Sequence, residues 1–256
     1  MIDPPLTGKI AIVTGASAGI GRATAVALAK SGAAVVAQAR RGEKLETLAE
    51  EIRSAGGKAM AVAGDASKVP DIENLLAQAR EFSTGLGLGG RIDIVIANAG
   101  RGLAGGLMSS DEKQWREMYE INVLGAAALM RRAGEIMIKQ GRGDIVALGS
   151  VSGHNISPFS GFYGSSKFAV AGMAEAFRRE VCSKGVRVTL IMPAVVESEF
   201  QAVAGYTPEN FFKGVERYGK LLSPQDVAET ITFVVTRPPH VHLNELVIRP
   251  TGQDYP

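Results

Sequence analysis

The chain is 256 residues long, 46% hydrophobic and 21% charged, and its 28 basic and 26 acidic side chains leave a formal net charge of +2. That size and balance predict one globular domain, residues 1–256, and speak against nucleic-acid or membrane binding as its main task. Cys182 is the lone cysteine, no signal-like segment opens the chain, and no apolar run approaches the roughly 20 residues that span a bilayer, so a reducing, cytoplasmic location is expected.

In chain order, short β-rich apolar runs alternate with longer helical patterns. Strands are predicted over 9–14, 34–39, 58–63, 92–97, 143–149, 186–192 and 245–248. Helices are predicted over 20–31, 43–55, 69–82, 110–139, 161–183 and 224–235. The first six strands are nearly continuous in apolar residues, the pattern of strands covered on both faces. Such alternation predicts an α/β fold of the Rossmann type: a doubly wound parallel sheet of about seven strands with helices on both faces. Right-handed crossovers would bring the strand C-termini and their loops to one edge, where ligands bind. The Gly-rich stretch 83–91 is expected to be a flexible surface loop. The long irregular stretch 193–222 carries aromatic and amphipathic residues and is expected to form short helices in a substrate-binding lid.

Between the first strand and the first helix stands "TGASAGIG" (14–21), with glycines at Gly15, Gly19 and Gly21. Glycine there permits a sharp turn and lets a pyrophosphate approach the backbone, while the helix N-terminus offers free N–H donors. At the end of the second strand an NAD site wants a carboxylate for the ribose hydroxyls. "VVAQARR" (35–41) offers Arg40 and Arg41 instead, two guanidinium groups suited to a 2′-phosphate, so NADP(H) is the expected cofactor. Further on, "YGSSK" (163–167) sets Tyr163 and Lys167 four residues apart, on one face of a predicted helix. A phenol and an ammonium could thus enter one cavity.

These pieces, with "GDAS" (64–67), "NAG" (98–100), "INVLG" (121–125), "GS" (149–150) and "PAVVES" (193–198), come in the order of the short-chain dehydrogenase/reductase family. The chain resembles that family over nearly its whole length. The resemblance implies that Gly15, Ser17, Gly19, Ile20 and Gly21 hold the dinucleotide, with Arg40 and Arg41 at its 2′-phosphate. It implies that Asp65 meets the adenine, with Ala66 beside it, and that Asn98 steadies the central strand next to Ala99 and Gly100. Pro193, Val196 and Ser198 would complete the cofactor site, the backbone around Val196 meeting the nicotinamide carboxamide. Ala194 and Ser198 depart from the usual glycine and threonine of the family, which bears on the geometry of that loop.

By the same resemblance Tyr163 is the general acid/base, and Lys167 lowers its pKa and bonds the nicotinamide ribose. Ser150 would donate a hydrogen bond to the substrate oxygen, and Asn122 would hold a water in a proton relay. The implied reaction interconverts a small alcohol and a carbonyl. The tail "PPHVHLNELVIRPTGQ" is similar to that of family members acting on 3-hydroxy acids and hydroxy amino acids. A 3-oxoacyl thioester reductase, a ketone or aldehyde reductase, a sugar or polyol dehydrogenase and a non-catalytic NADP-binding regulator remain alternatives. Apolar faces on helices 110–139 and 161–183 suggest a homodimer or homotetramer. "HVH" (240–242) lacks a third ligand and reads as a loop rather than a metal site. His154 is expected to be a polar loop residue, although it could border the pocket, and Cys182 to be buried.

Overall fold

The first apolar run forms strand β1 (Ile10–Thr14), all five residues of which are buried. The computed structural model describes residues 3–155, 158, 160–207, 209, 213 and 215–254. The remaining strands are β2 (Ala34–Ala39), β3 (Lys58–Ala63), β4 (Ile94–Ala97), β5 (Gly143–Leu148), β6 (Val186–Pro193) and β7 (Glu245–Ile248). Between them run α1 (Gly19–Lys30), α2 (Gly42–Ser54), α3 (Val69–Gly85), α4 (Trp115–Tyr119), α5 (Ala126–Gln140), α6 (Gly161–Val181), α7 (Phe200–Val203) and α8 (Pro224–Val235).

All strands pair in parallel in the order β3-β2-β1-β4-β5-β6-β7. Continuous apolarity in the central strands follows from cover on both faces. Ala11 and Val13 of β1 enter one core with Leu28 of α1, Leu45 and Leu48 of α2, and Ile231 of α8. Ile10 and Ile12 enter the other with Leu75 of α3, Met137 of α5 and Val170 of α6. Complete burial of each such Val, Leu, Ile or Met side chain stabilises the fold by roughly 1.5–3 kcal/mol. The chain steps outward from β1 to β3 and returns to β4, so the β1/β4 boundary is a switch point, with a crevice beyond the strand C-termini.

Several expectations need correction. β3 lies at a sheet edge, and its two end residues are exposed, so only one of its neighbours shields it. The predicted helix 110–139 is broken: a 3-10 turn (Glu112–Gln114) and α4 lead into a π-helical segment (Glu120–Gly125) before α5 begins. The glycine-rich stretch 83–91 is anchored rather than loose, because α3 extends to Gly85, Ser83 is buried, and Leu86 and Leu88 pack on the core. Cys182 is exposed, since it follows the last full turn of α6. His242 sets its ring Nε2 3.1 Å from the Val188 N and 2.9 Å from the Val188 O, at the approach to β7. No helix among the described residues is long and apolar enough to cross a membrane.

Candidate active site

The C-terminal edge of the sheet carries a cleft of about 1490 Å³. Its floor is the β1 exit. Thr14 Oγ1 donates to Ile96 O (3.2 Å) and accepts from the N–H groups of Asn98 and Ala99 (3.1 Å each). Asn98 Nδ2 donates back to Thr14 O (2.8 Å), locking β4 to β1. Gly15 has φ +67°, and a Cβ on Gly21 would strike the Gly15 carbonyl and stand 2.5 Å from Asn98 Nδ2. Glycine is therefore required at both positions, and the turn presses directly on the sheet. No side chain caps the N-terminus of α1, so its first backbone N–H groups face the cleft. This arrangement fits the phosphates of a dinucleotide.

At the end of β2 the two arginines differ. Arg41 bonds Ser17 Oγ through Nε (3.1 Å) and Nη2 (2.9 Å), and Glu199 through Nη1 (3.0 Å). Lys44 holds the other oxygen of Glu199 at 3.1 Å. These two cations hold the Glu199 carboxyl below its ordinary range. Arg40 makes no side-chain hydrogen bond or ion pair with the described residues, though its charge acts on Asp65. Burial would raise the Asp65 carboxyl, but the Ser67 N–H (2.9 Å), with Arg40 and Lys68 nearby, carries it below the ordinary value.

The groups predicted to carry chemistry converge at the other end of the cleft. Ser150 leaves β5, is 8% exposed, and accepts from Ser152 N (3.1 Å) to cap the turn Val151–Gly153. Tyr163 sits in the first turn of α6 with its hydroxyl bonded to Ser150. Lys167, one turn on, donates from Nζ to Leu148 O (2.8 Å), and that nitrogen lies 5.8 Å from the centre of the Tyr163 ring. The phenol was expected to be acidified by its neighbour together with the positive nicotinamide of the oxidised cofactor. Instead, burial pushes it up to about 12, with the Ser150 bond working in the other direction. Burial also pulls the Lys167 amine down to about 8. The reason is geometric: the amine bonds a backbone carbonyl, not the phenol oxygen, and both groups lose water.

Every residue assigned to the cofactor from sequence lines this one cleft, together with Ser150, Tyr163 and Lys167. Asn122 does not line it. Held in the π-helical segment, it lies beneath, where Oδ1 accepts from Arg101 N (2.9 Å) and Nδ2 donates to Arg101 O (2.9 Å) and Ser166 Oγ (3.1 Å). Ser166 in turn donates to Tyr163 O (2.7 Å), joining Asn122 to the backbone of α6. Ser166 stood in the quoted motif without a role, and only the fold exposes the link. Sequence reasoning also passed over Gln253, whose Oε1 accepts from Val195 N (3.1 Å), and Gln201, which bonds Val196 and Ser198. His154 is an exposed loop residue outside the cleft wall. Among the described residues no group of three His, Cys, Asp or Glu side chains could hold a metal ion.

Described parts of the 193–222 stretch lie over the cleft. They comprise α7 and a 3-10 turn (Glu216–Tyr218), tied down where Val196 pairs with Leu222 and Ala104 N donates to Ala204 O (2.8 Å). Phe200 stands edge-on to Tyr163, ring centres 5.7 Å apart. Residues 208, 210–212 and 214 of the expected lid lie outside the described residues.

Comparison with known proteins follows the same outline. The short chain dehydrogenase family pattern matches residues 9–207. An uncharacterized oxidoreductase of Staphylococcus aureus (strain MRSA252) is 33% identical over 245 residues, 96% of this chain and 98% of that protein. The glycine betaine reductase of Emericella nidulans is 32% identical over 254 residues, 97% of this chain, which spans only 19% of that protein's length. The closed form of a serine dehydrogenase, solved with NADP+, superposes with a TM-score of 0.87 at 29% identity, covering 96% of each chain. With the seven-stranded sheet, the glycine turn and the family pattern in agreement, this chain belongs to the short chain dehydrogenase family of oxidoreductases.

Proposed function

We propose that this chain interconverts an alcohol and a carbonyl with NADP(H), using Tyr163 as proton donor and acceptor. The observation that carries the reading is the Ser150–Tyr163 pair, with the buried Lys167 amine beside it, in the cleft that also holds the glycine turn. When bound, the nicotinamide supplies or takes the hydride. In reduction the substrate oxygen lies against both hydroxyls: Ser150 donates to it as negative charge develops, and Tyr163 delivers the proton. With its pKa pushed up to about 12, the phenol holds that proton at neutral pH and is ready as an acid. In oxidation the same phenol must be ionised first, which the positive charge of Lys167 favours. Asn122 and Ser166 support this pair from below, and a proton relay through a water near Asn122 remains part of the proposal.

NADP rather than NAD is supported by Arg40 and Arg41 at the end of β2 and by the NADP+ bound to the similar serine dehydrogenase. That neighbour's name, with the chain's tail, favours a small hydroxy acid or hydroxy amino acid as the alcohol. A homo-oligomer is supported by Leu124 (61% exposed) and Phe168 (43% exposed) on the flanking helical elements. Cytoplasmic location belongs to the same proposal. The test is consumption of NADPH and of NADH against aldehydes, ketones, 3-oxo acids and 3-oxoacyl thioesters. NADPH-dependent turnover of at least one class is expected. Tight NADPH binding with no turnover of any class would favour the non-catalytic alternative.

A further inference from the structure

The loop after β6 is held on two sides. Val195 is bound by Gln253, and Glu197 N donates to Leu222 O (2.9 Å) where Val196 pairs with Leu222. Against this rail lies the side-chain amide of Gln201, reaching back from α7. Its Nε2 donates to Val196 O at 2.6 Å, while its Oε1 accepts from Ser198 N at 3.2 Å and lies 3.5 Å from Ser198 Oγ. Gln201 thus presents a planar primary carboxamide, amino side toward Val196 and carbonyl side toward Ser198. Nicotinamide carries the same group, with the same two donors and one acceptor. The family resemblance implies that the nicotinamide carboxamide meets this same stretch of backbone around Val196.

We infer that Gln201 is a further residue of the nicotinamide site, a tethered stand-in whose amide competes with the cofactor's carboxamide for Val196 and Ser198. The inference rests on the NADP(H) reading above. Two planar amides cannot lie against the same carbonyl, N–H and hydroxyl together, so docking of the nicotinamide requires Gln201 to swing away. Gln201 follows directly on Phe200, the ring set against Tyr163. Its release therefore shifts the lid at the point where that lid meets the acid/base residue. Nicotinamide binding is weakened by the bonds Gln201 gives up, whereas the adenosine half of the cofactor carries no carboxamide to compete for them.

Gln201→Leu keeps the side chain's bulk and removes the competing amide, and Gln201→Ala covers the case in which leucine disturbs the lid. Dissociation constants for NADP+, NADPH and 2′-phospho-ADP, which lacks the nicotinamide riboside, are measured by titration calorimetry on folded protein. The expected result is about tenfold tighter binding of NADP+ and NADPH, equivalent to about 1.4 kcal/mol, with 2′-phospho-ADP unchanged. Unchanged or weaker NADP+ binding in both variants, with 2′-phospho-ADP still binding, overturns the competition and leaves Gln201 as a splint of the loop. A parent protein that binds neither NADP+ nor 2′-phospho-ADP overturns the dinucleotide reading, and this inference with it. Equal tightening of all three ligands also overturns it, because a nicotinamide-specific competitor cannot act on the adenosine fragment.

Discussion

Lys167 offers a test in which stability reads out the site. The side chain is 7% exposed, and the burial that brings it beside Tyr163 pulls its amine from an ordinary 10.5 down to about 8. An unfolded chain keeps that proton to about pH 10.5, whereas the folded chain releases it near pH 8. Between those values the unfolded state holds more protons, so this group makes folding more favourable as pH rises; below pH 8 both states are protonated and its contribution is flat. The slope reaches at most about 1.36 kcal/mol per pH unit and is smaller near either pKa, so from pH 8 to pH 10 the gain is about 2 kcal/mol. Lys167→Met keeps the apolar stem and removes the titration. Urea unfolding of parent and variant, at one protein concentration between pH 7 and pH 10, measures the difference directly. The parent should gain on the variant by about 2 kcal/mol across the upper part of that range. A difference that stays constant with pH would show that the amine is as well solvated as in the unfolded chain, and the buried Tyr163–Lys167 pair would fall with it.

Tyr163→Phe removes the proposed proton carrier and should lower turnover by about 10²–10⁴-fold, with substrate binding little changed; a near-normal rate on a turned-over substrate refutes its role. In the parent, alcohol oxidation should climb through alkaline pH because the phenol must first ionise from a pKa pushed up to about 12, whereas carbonyl reduction should not. Arg40 is uncommitted within the described residues while Arg41 already serves Ser17 and Glu199, so Arg40→Asp should weaken NADPH by roughly 10–100-fold more than NADH, in line with charge-assisted hydrogen bonds. Equal loss for both cofactors in direct binding measurements would remove Arg40 from the 2′-phosphate. Gln38 is 1% exposed and neither end of its amide finds a hydrogen-bond partner among the described residues. Gln38→Met should therefore stabilise the fold by about 1–3 kcal/mol, and a lower unfolding midpoint would contradict that.

The fold was legible wherever one residue's neighbours in sequence decided its surroundings. The apolar runs of β1, β2, β4, β5 and β6 announced strands covered on both faces, and β7 and α8 fell on their predicted bounds. The glycine turn could be read because Gly15 and Gly21 answer to local constraints, a left-handed φ and a close backbone contact. Helical spacing put Tyr163 and Lys167 on one face, and the other motifs supplied the cavity they could enter. What the linear order could not convey was whatever depends on distant segments. The π-helical turn that seats Asn122 meets the backbone of Arg101, and Glu199 meets Arg41 and Lys44 across more than 150 positions. The sign of the Tyr163 shift belongs to the same class. Spacing brought an ammonium near the phenol, but only packing showed that the amine bonds Leu148 O and that burial carries the phenol upward. Composition and periodicity report which face a side chain takes. How much water it loses, and which carbonyl it finds there, is decided by chain folded back from elsewhere, and those two quantities set the chemistry of this cleft.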